Sequence, residues 1–258
     1  MNSAQSLPKV NARDLARAFG EVGLAAGETV YVGSSMAGLS YIEGREAMVL
    51  EALWSVIGRA GTLVLPTGSR EFRQSGIFDR EKSVSAQGLL SEYFRRQPGA
   101  LRSFAPPFNA ICAMGPQAQA LCSIESETSF GPDSVYERMA ELRARQLMIG
   151  CNFRDGVSHM HCLEERHDAP YREWRPYTGK IVVNGTVTTR EFRHHTRIPS
   201  FQLDYTPLET ALDAAGAIKR QAVGLTMISS FSLEDFFDVL DPWFVANWQL
   251  LTVKRQHE

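Results

Sequence analysis

The densest run of chemically capable side chains is His159-Met160-His161-Cys162-Leu163-Glu164-Glu165-Arg166-His167. On a helix, His161 faces Glu164 and Glu165 at the i+3 and i+4 positions, so a carboxylate there holds the imidazole and selects its tautomer. Ser158 reads as a helix cap, and Pro170 ends the helix near Asp168, so His161 falls in the first turn. The positive end of a helix disfavours imidazolium and keeps the ring able to accept a proton at neutral pH. The plainer alternative is a solvated charged face with one buried histidine. A metal site is the other competitor, because His159, His161, Cys162, Glu164 and His167 are all capable ligands. Its geometry is awkward: His159 and His161 point the same way on a strand and about 200° apart on a helix, whereas His161 meets Glu164 only on a helix.

A second candidate is Gly33-Ser34-Ser35-Met36-Ala37-Gly38, a small-residue turn between a strand and a helix. Free amides and hydroxyls in such a turn suit a diphosphate or a thioester oxygen. The turn matches neither the dinucleotide fingerprint nor the lysine-bearing phosphate loop, and by itself a plain tight turn is the readier explanation.

The elements that must position these groups read as alternating strands and helices. Asn11 caps a first amphipathic helix that runs to Gly23. Residues 28–32 form a buried strand, 44–58 a helix and 61–67 a second strand, which together make a βαβ unit suited to a parallel sheet covered on both faces. Further on, a helix through Leu89 and Phe94 stops at Pro98-Gly99, Ala110–Met114 is a strand, and Ser134 with Glu137 forms a capping box before a helix and the strand Gln146–Gly150. Asn184-Gly185 turns a two-residue hairpin between residues 181–183 and 186–189. A helix around 209–217, a strand around 224–229 and a helix capped by Ser232 close the chain. The reading is one α/β domain over 1–258, an αβα sandwich with a mostly parallel central sheet and a β-hairpin insertion.

Composition narrows the class. The 258 residues are 44% hydrophobic and 22% charged, with 27 Lys+Arg against 29 Asp+Glu for a net charge of −2. That profile fits a soluble chain with a substantial core and argues against nucleic-acid binding. There is no basic leader followed by an apolar core and no long apolar run, so the expectation is a cytoplasmic protein without membrane contact. Cys112, Cys122, Cys151 and Cys162 lack paired spacing and read as buried thiols.

A resemblance ties these segments together. Val30-Tyr31-Val32-Gly33-Ser34-Ser35, Gly61 to Thr67, Leu101-Arg102-Ser103 and Phe130-Gly131-Pro132-Asp133-Ser134 occur in the order and spacing of the aminoglycoside 3-N-acetyltransferase family. His161-Cys162-Leu163-Glu164 resembles that family's His-Leu-Ala-Glu motif and is followed by Pro170-Tyr171. The match spans about residues 8–200. It implies a fold distinct from the common GNAT acetyltransferase fold and acetyl-CoA as cosubstrate, with no metal. It also implies direct attack by an amine, with His161 as general base. Ser34, Ser35, Met36, Ala37 and Gly38, with Arg102 and Ser103, are implied at the CoA arm, and Glu71 and Asp79 at the acceptor.

The chain departs from the family where Gly33 replaces a common His and Ala105-Pro106 replaces His-Pro. The acid expected after the hairpin falls near His194-His195, which leaves Glu191, Glu164 or His194 itself to orient His161. An aminoglycoside acceptor needs a strongly acidic cleft, because several ammonium groups must be matched. The acids Glu234, Asp235, Asp238 and Asp241 are a further candidate source or a solvated face. The expectation is acylation of an amino sugar, an aminoglycoside or another small amino compound, in a possible homodimer. The alternatives are a metal-dependent hydrolase built on the His159–His167 cluster and a catalytically degenerate ligand-binding member.

Overall fold

The computed structural model describes residues 10–36, 44–103 and 106–253. Helix α1 (Ala12–Glu21) opens with a full capping box: the Asn11 side chain accepts from the Asp14 amide at 3.1 Å while the Asp14 carboxylate accepts from the Asn11 amide. Strand β1 (Thr29–Ser34), helix α2 (Arg45–Ile57) and strand β2 (Thr62–Pro66) form the expected βαβ unit. The middle holds α3 (Glu71–Ser75), β3 (Ile77–Asp79), α4 (Leu89–Arg95), β4 (Leu101–Arg102) and β5 (Ile111–Met114). Then come α5 (Ala118–Cys122), α6 (Val135–Glu141), β6 (Arg145–Ile149), α7 (Phe153–Gly156) and α8 (Met160–Arg166). The chain closes with β7 (Arg172–Val183), β8 (Thr186–Arg197), β9 (Gln202–Leu203), α9 (Thr206–Ala214), β10 (Lys219–Val223), β11 (Thr226–Ser232), α10 (Leu233–Asn247) and β12 (Thr252–Val253).

The seven-stranded sheet has the order β10-β11-β6-β1-β2-β5-β4. Only its centre, β6-β1-β2, is parallel, and the other four neighbouring pairs run antiparallel. The sheet is therefore mixed, which corrects the expectation of a mostly parallel one. The cause lies at both edges. Gly224, at φ 59°, turns β10 straight back into β11, and a short connection joins β4 to β5; strands joined so closely pair antiparallel.

Alternation along the central strands loads both faces. Val30, Val32, Leu63 and Leu65 pack with α1, α2 and α4, whereas Tyr31, Val64 and Met148 pack with α5 through α10. Helices cover both sides, as the αβα reading requires. The hairpin β7–β8 turns at Asn184 (φ 49°) and Gly185 (φ 79°), both in the left-handed region a two-residue turn demands. It runs twelve pairs, far longer than its sequence signal, and β3 extends it in parallel. Phe72, Phe78, Phe108, Ile181 and Phe192 pin it to the main body. Gly179 lies where a Cβ would stand 2.3 Å from the Phe72 ring, so this phenylalanine fits only over a glycine. All four cysteines are free thiols, three of them buried. No helix among the described residues is long and apolar enough to cross a membrane.

Candidate active site

Helix α8 leaves the core where two backbones touch. A Cβ at Gly33 would stand 2.3 Å from the Gly156 carbonyl oxygen, and one at Gly156 would meet the Cys151 sulfur at 2.8 Å. The glycine pair lets α7 lie directly on β1, and this contact sets the height at which α8 begins. Gly33 thus has a packing reason: no side chain fits there. Ser158 does not cap α8. His159 occupies the cap position without a side-chain bond, and the Ser158 hydroxyl pairs with the Tyr31 hydroxyl at 2.9 Å.

His161 lies in the first turn of α8, with its Nδ1 2.5 Å from Glu164 Oε2. That carboxylate is a hub. Arg172 Nε lies 2.7 Å from the same oxygen, and the Tyr205 hydroxyl donates to Oε1 at 2.9 Å. Arg172 also donates to the His195 carbonyl at 2.8 Å and to the Tyr205 hydroxyl at 3.2 Å. Burial pushes the Glu164 carboxyl up, but His161, Arg172 and Tyr205 together hold it at about 2. Glu164 is therefore a carboxylate throughout the physiological range. Arg172 Nη2 also lies 3.2 Å from Nδ1; in the neutral form of the ring, the ionised carboxylate at 2.5 Å accepts from Nδ1–H, and Nε2 then keeps its lone pair. Nε2 makes no hydrogen bond among the described residues.

Two cavities meet at this ring. One, of about 560 Å³, is lined by His161, Arg154, Asp155, Arg172, Arg197 and Tyr205 among others. The other, of about 180 Å³, carries Arg73, Phe130, Glu164, Glu165 and His194 beside His161. Burial pushes the Glu165 carboxyl up to about 7 against hydrogen bonds from Thr128 and the Phe130 amide. Burial, then Arg73 and Arg172, push His194 down to about 4.

Of the residues expected from sequence, His161, Glu164 and His194 converge. Glu191 does not: it is exposed on β8 opposite Thr178, and of the acids considered it is Glu164 that touches His161. Ser34, Ser35 and Met36 end β1 partly exposed, and the Ser35 amide is already given to the Ile149 carbonyl at 2.9 Å. Ala37, Gly38 and Ala105 lie outside the described residues. Arg102 is buried with its guanidinium donating to the carbonyls of Thr67 and Ser83 and lying 4.6 Å over the Phe78 ring; it braces the loop after β2. Ser103 is buried and accepts from the Ile111 amide at 3.0 Å. Glu71 is exposed, and Asp79 accepts from the amides of Glu81 and Lys82 in its own turn, so neither lines the two cavities.

The acidic stretch of α10 is also spoken for. Asp241 binds Arg166 at 2.7 Å and His167 at 2.6 Å, and Glu234 pairs with Arg143 at 3.4 Å. Glu137 supplies half the expected capping box, its amide donating to Ser134 while its carboxylate goes to Arg166. The metal reading fails on geometry: His159 is buried against tyrosines, His161 faces the cavities and His167 faces α10. No group of three or more His, Cys, Asp or Glu among the described residues stands at ligand distance. Sequence reasoning missed Arg172 and Tyr205. Arg172 directly follows the Pro170-Tyr171 pair, a usable signal; Tyr205, on a distant segment, has none.

An imidazole backed by a buried carboxylate opens onto two cavities within this αβα frame, and comparison with known proteins identifies the family. The sequence profile of the aminoglycoside 3-N-acetyltransferase family matches residues 31–245, and the chain belongs to that family. It is 27% identical over 260 residues to aminoglycoside N(3)-acetyltransferase VII of Streptomyces paromomycinus, covering 89% of each chain. It is 29% identical over 199 residues to the type VIII enzyme of Streptomyces fradiae, covering 69% of each. The structure of aminoglycoside acetyltransferase AAC(3)-Xa superposes with a TM-score of 0.81 at 26% identity, over 92% of this chain and 93% of that one. AAC-IIIb, solved as a binary complex with CoASH, shares the fold at a TM-score of 0.82 and 19% identity, over 93% and 97%.

Proposed function

We propose that this protein transfers the acetyl group of acetyl-CoA to the amine of an amino sugar, an aminoglycoside or another small amino compound, with His161 as general base. The observation that carries the reading is the 2.5 Å contact between His161 Nδ1 and Glu164, which leaves Nε2 as an acceptor at the junction of two cavities. In the reaction the amine nitrogen attacks the thioester carbonyl carbon as its proton passes to Nε2. The carbon–sulfur bond then breaks, and the thiolate takes up that proton to leave as CoA thiol. Glu164, kept ionised by Arg172 and Tyr205, stabilises the imidazolium that forms in between. A general base of this kind contributes roughly 10²–10⁴-fold in rate.

Ser34, Ser35 and Met36, with Ala37 and Gly38, are the segment we assign to the CoA arm, since small hydroxyl side chains there suit thioester and diphosphate oxygens. Arg102 and Ser103 are removed from that set because their polar atoms are spent on backbone groups, and Glu71 and Asp79 are removed from the acceptor set. The metal-hydrolase alternative has no converging ligands to support it. The test is a thiol-release assay with acetyl-CoA and a panel of amines, with mass spectrometry of the product. An N-acetylated amine, 42 Da heavier by simple stoichiometry (about one acetyl for one hydrogen), is expected. Thiol release without any acylated amine would refute the reading.

A further inference from the structure

The charge around His161 is the wrong sign for a polycation. In the larger cavity Arg154, from α7, and Arg197, from the end of β8, flank His161 together with Arg172, and Asp155 is the one acidic residue in its lining among the described residues. Arg172 is committed to Glu164 and Tyr205. Arg154 and Arg197 are exposed and make no direct ion pair among the described residues, although the charge of Arg154 reaches Asp204 and Arg197 donates to the Phe201 carbonyl. The smaller cavity offers no relief. Its Glu164 is neutralised by Arg172, and Glu165, beside Arg73 and His194, is driven toward its protonated form by burial. Guanidinium groups bind carboxylate and phosphate oxygens in forked pairs and repel ammonium groups nearby.

We propose that the acceptor amine carries an oxyanion, a carboxylate or a phosphate-type group, held by Arg154 and Arg197, and that a polycationic aminoglycoside is a poor acceptor. This rests on the N-acyltransfer reading and narrows it. We place the acceptor in the larger cavity, which α7, α8, β8 and β9 line; Ser34, Ser35 and Met36, assigned to the CoA arm, line neither cavity. His161 and Arg172 line both cavities.

The test is two-substrate kinetics on the full chain at saturating acetyl-CoA, using glucosamine against glucosamine 6-phosphate, an amino acid against its methyl ester, and sisomicin. The phosphate and carboxylate arms show which oxyanion is preferred. In at least one pair the anionic member is expected to show about tenfold higher kcat/KM than its neutral partner, the size of one charge-assisted contact, with sisomicin lowest. Arg154→Glu and Arg197→Glu are expected to raise the acceptor KM about tenfold and leave the acetyl-CoA KM within about twofold. Preference for sisomicin or the neutral members overturns the proposal, as does a rise confined to the acetyl-CoA KM, which would give these arginines to the CoA phosphates. If no amine turns over, melting temperature decides in the presence of acetyl-CoA. A shift caused by an anionic amine and lost in Arg197→Glu upholds the oxyanion site, and no such shift overturns it. Acetyl-CoA alone failing to shift the wild type would count against the acyl-transfer reading itself.

Discussion

His159, at the cap of α8, and His161, in its first turn, are two residues apart, and they live in opposite environments. His161 has a carboxylate behind it and open space before it. His159 is fully buried, edge-on to Tyr31 and Tyr136 at 5.1 and 5.3 Å, and neither ring nitrogen has a hydrogen-bond partner. Burial pushes it down to about 3, so it is a neutral filler of the core. The contrast comes from helical geometry, which turns adjacent alternate residues to opposite sides. The same imidazole is a cavity-facing, carboxylate-backed group or a piece of packing according to what stands within a few ångströms of it.

The sharpest way to break the contrast is to remove the carboxylate. Glu164→Ala leaves Arg172 as a buried charge without its partner and is expected to cost about 3–5 kcal/mol of stability, read by urea denaturation. Activity falls with it, and Glu164→Gln, which keeps the shape, separates the two losses: a kcat deficit should persist where most of the stability returns. Next in size, Gly33→Ala forces a methyl into the Gly156 carbonyl and should cost about 1–3 kcal/mol by overpacking, with kcat reduced because α7 and α8 are displaced together. An unchanged melting temperature would refute the close-contact account.

The smallest effect belongs to His159 and appears only in acid. Its folded pKa of about 3 lies below the ordinary 6.5, so the unfolded chain binds a proton first as pH falls. Stability is complete above pH 6.5 and is lost progressively down to about 3, amounting to about 3 kcal/mol by pH 4. His194 and His195, both held at about 4, act in the same direction. His159→Phe should flatten that acid limb and leave turnover at pH 8 within a few-fold. A large loss of turnover in this variant would show that the two imidazoles are not separable.

Much of this was legible in the chain itself. The βαβ unit, the caps at Asn11 and Ser232, the Asn184-Gly185 turn and the His161–Glu164 pair follow from local chemistry, and each appears in the structure. What escaped depends on distant segments. The antiparallel edges are set by which strands become neighbours, which periodicity does not encode. The family resemblance implies Arg102 at the CoA arm, yet three separate backbone carbonyls come to meet it in the fold. Tyr205 reaches Glu164 across 41 residues of chain, with nothing local to announce it. Gly33 stands where the family it resembles commonly has His, and the reason lies in Gly156, 123 positions later by subtraction of their numbers, whose backbone leaves no room for a side chain.

The central claim is that Nε2 of His161 takes the proton from the attacking amine. It is tested most directly by assaying His161→Ala with and without added imidazole, alongside a melting curve. We expect turnover to fall about 10²–10⁴-fold with the fold intact, and to recover in proportion to the concentration of neutral imidazole as pH rises. Wild-type turnover in the folded variant without imidazole would contradict the claim.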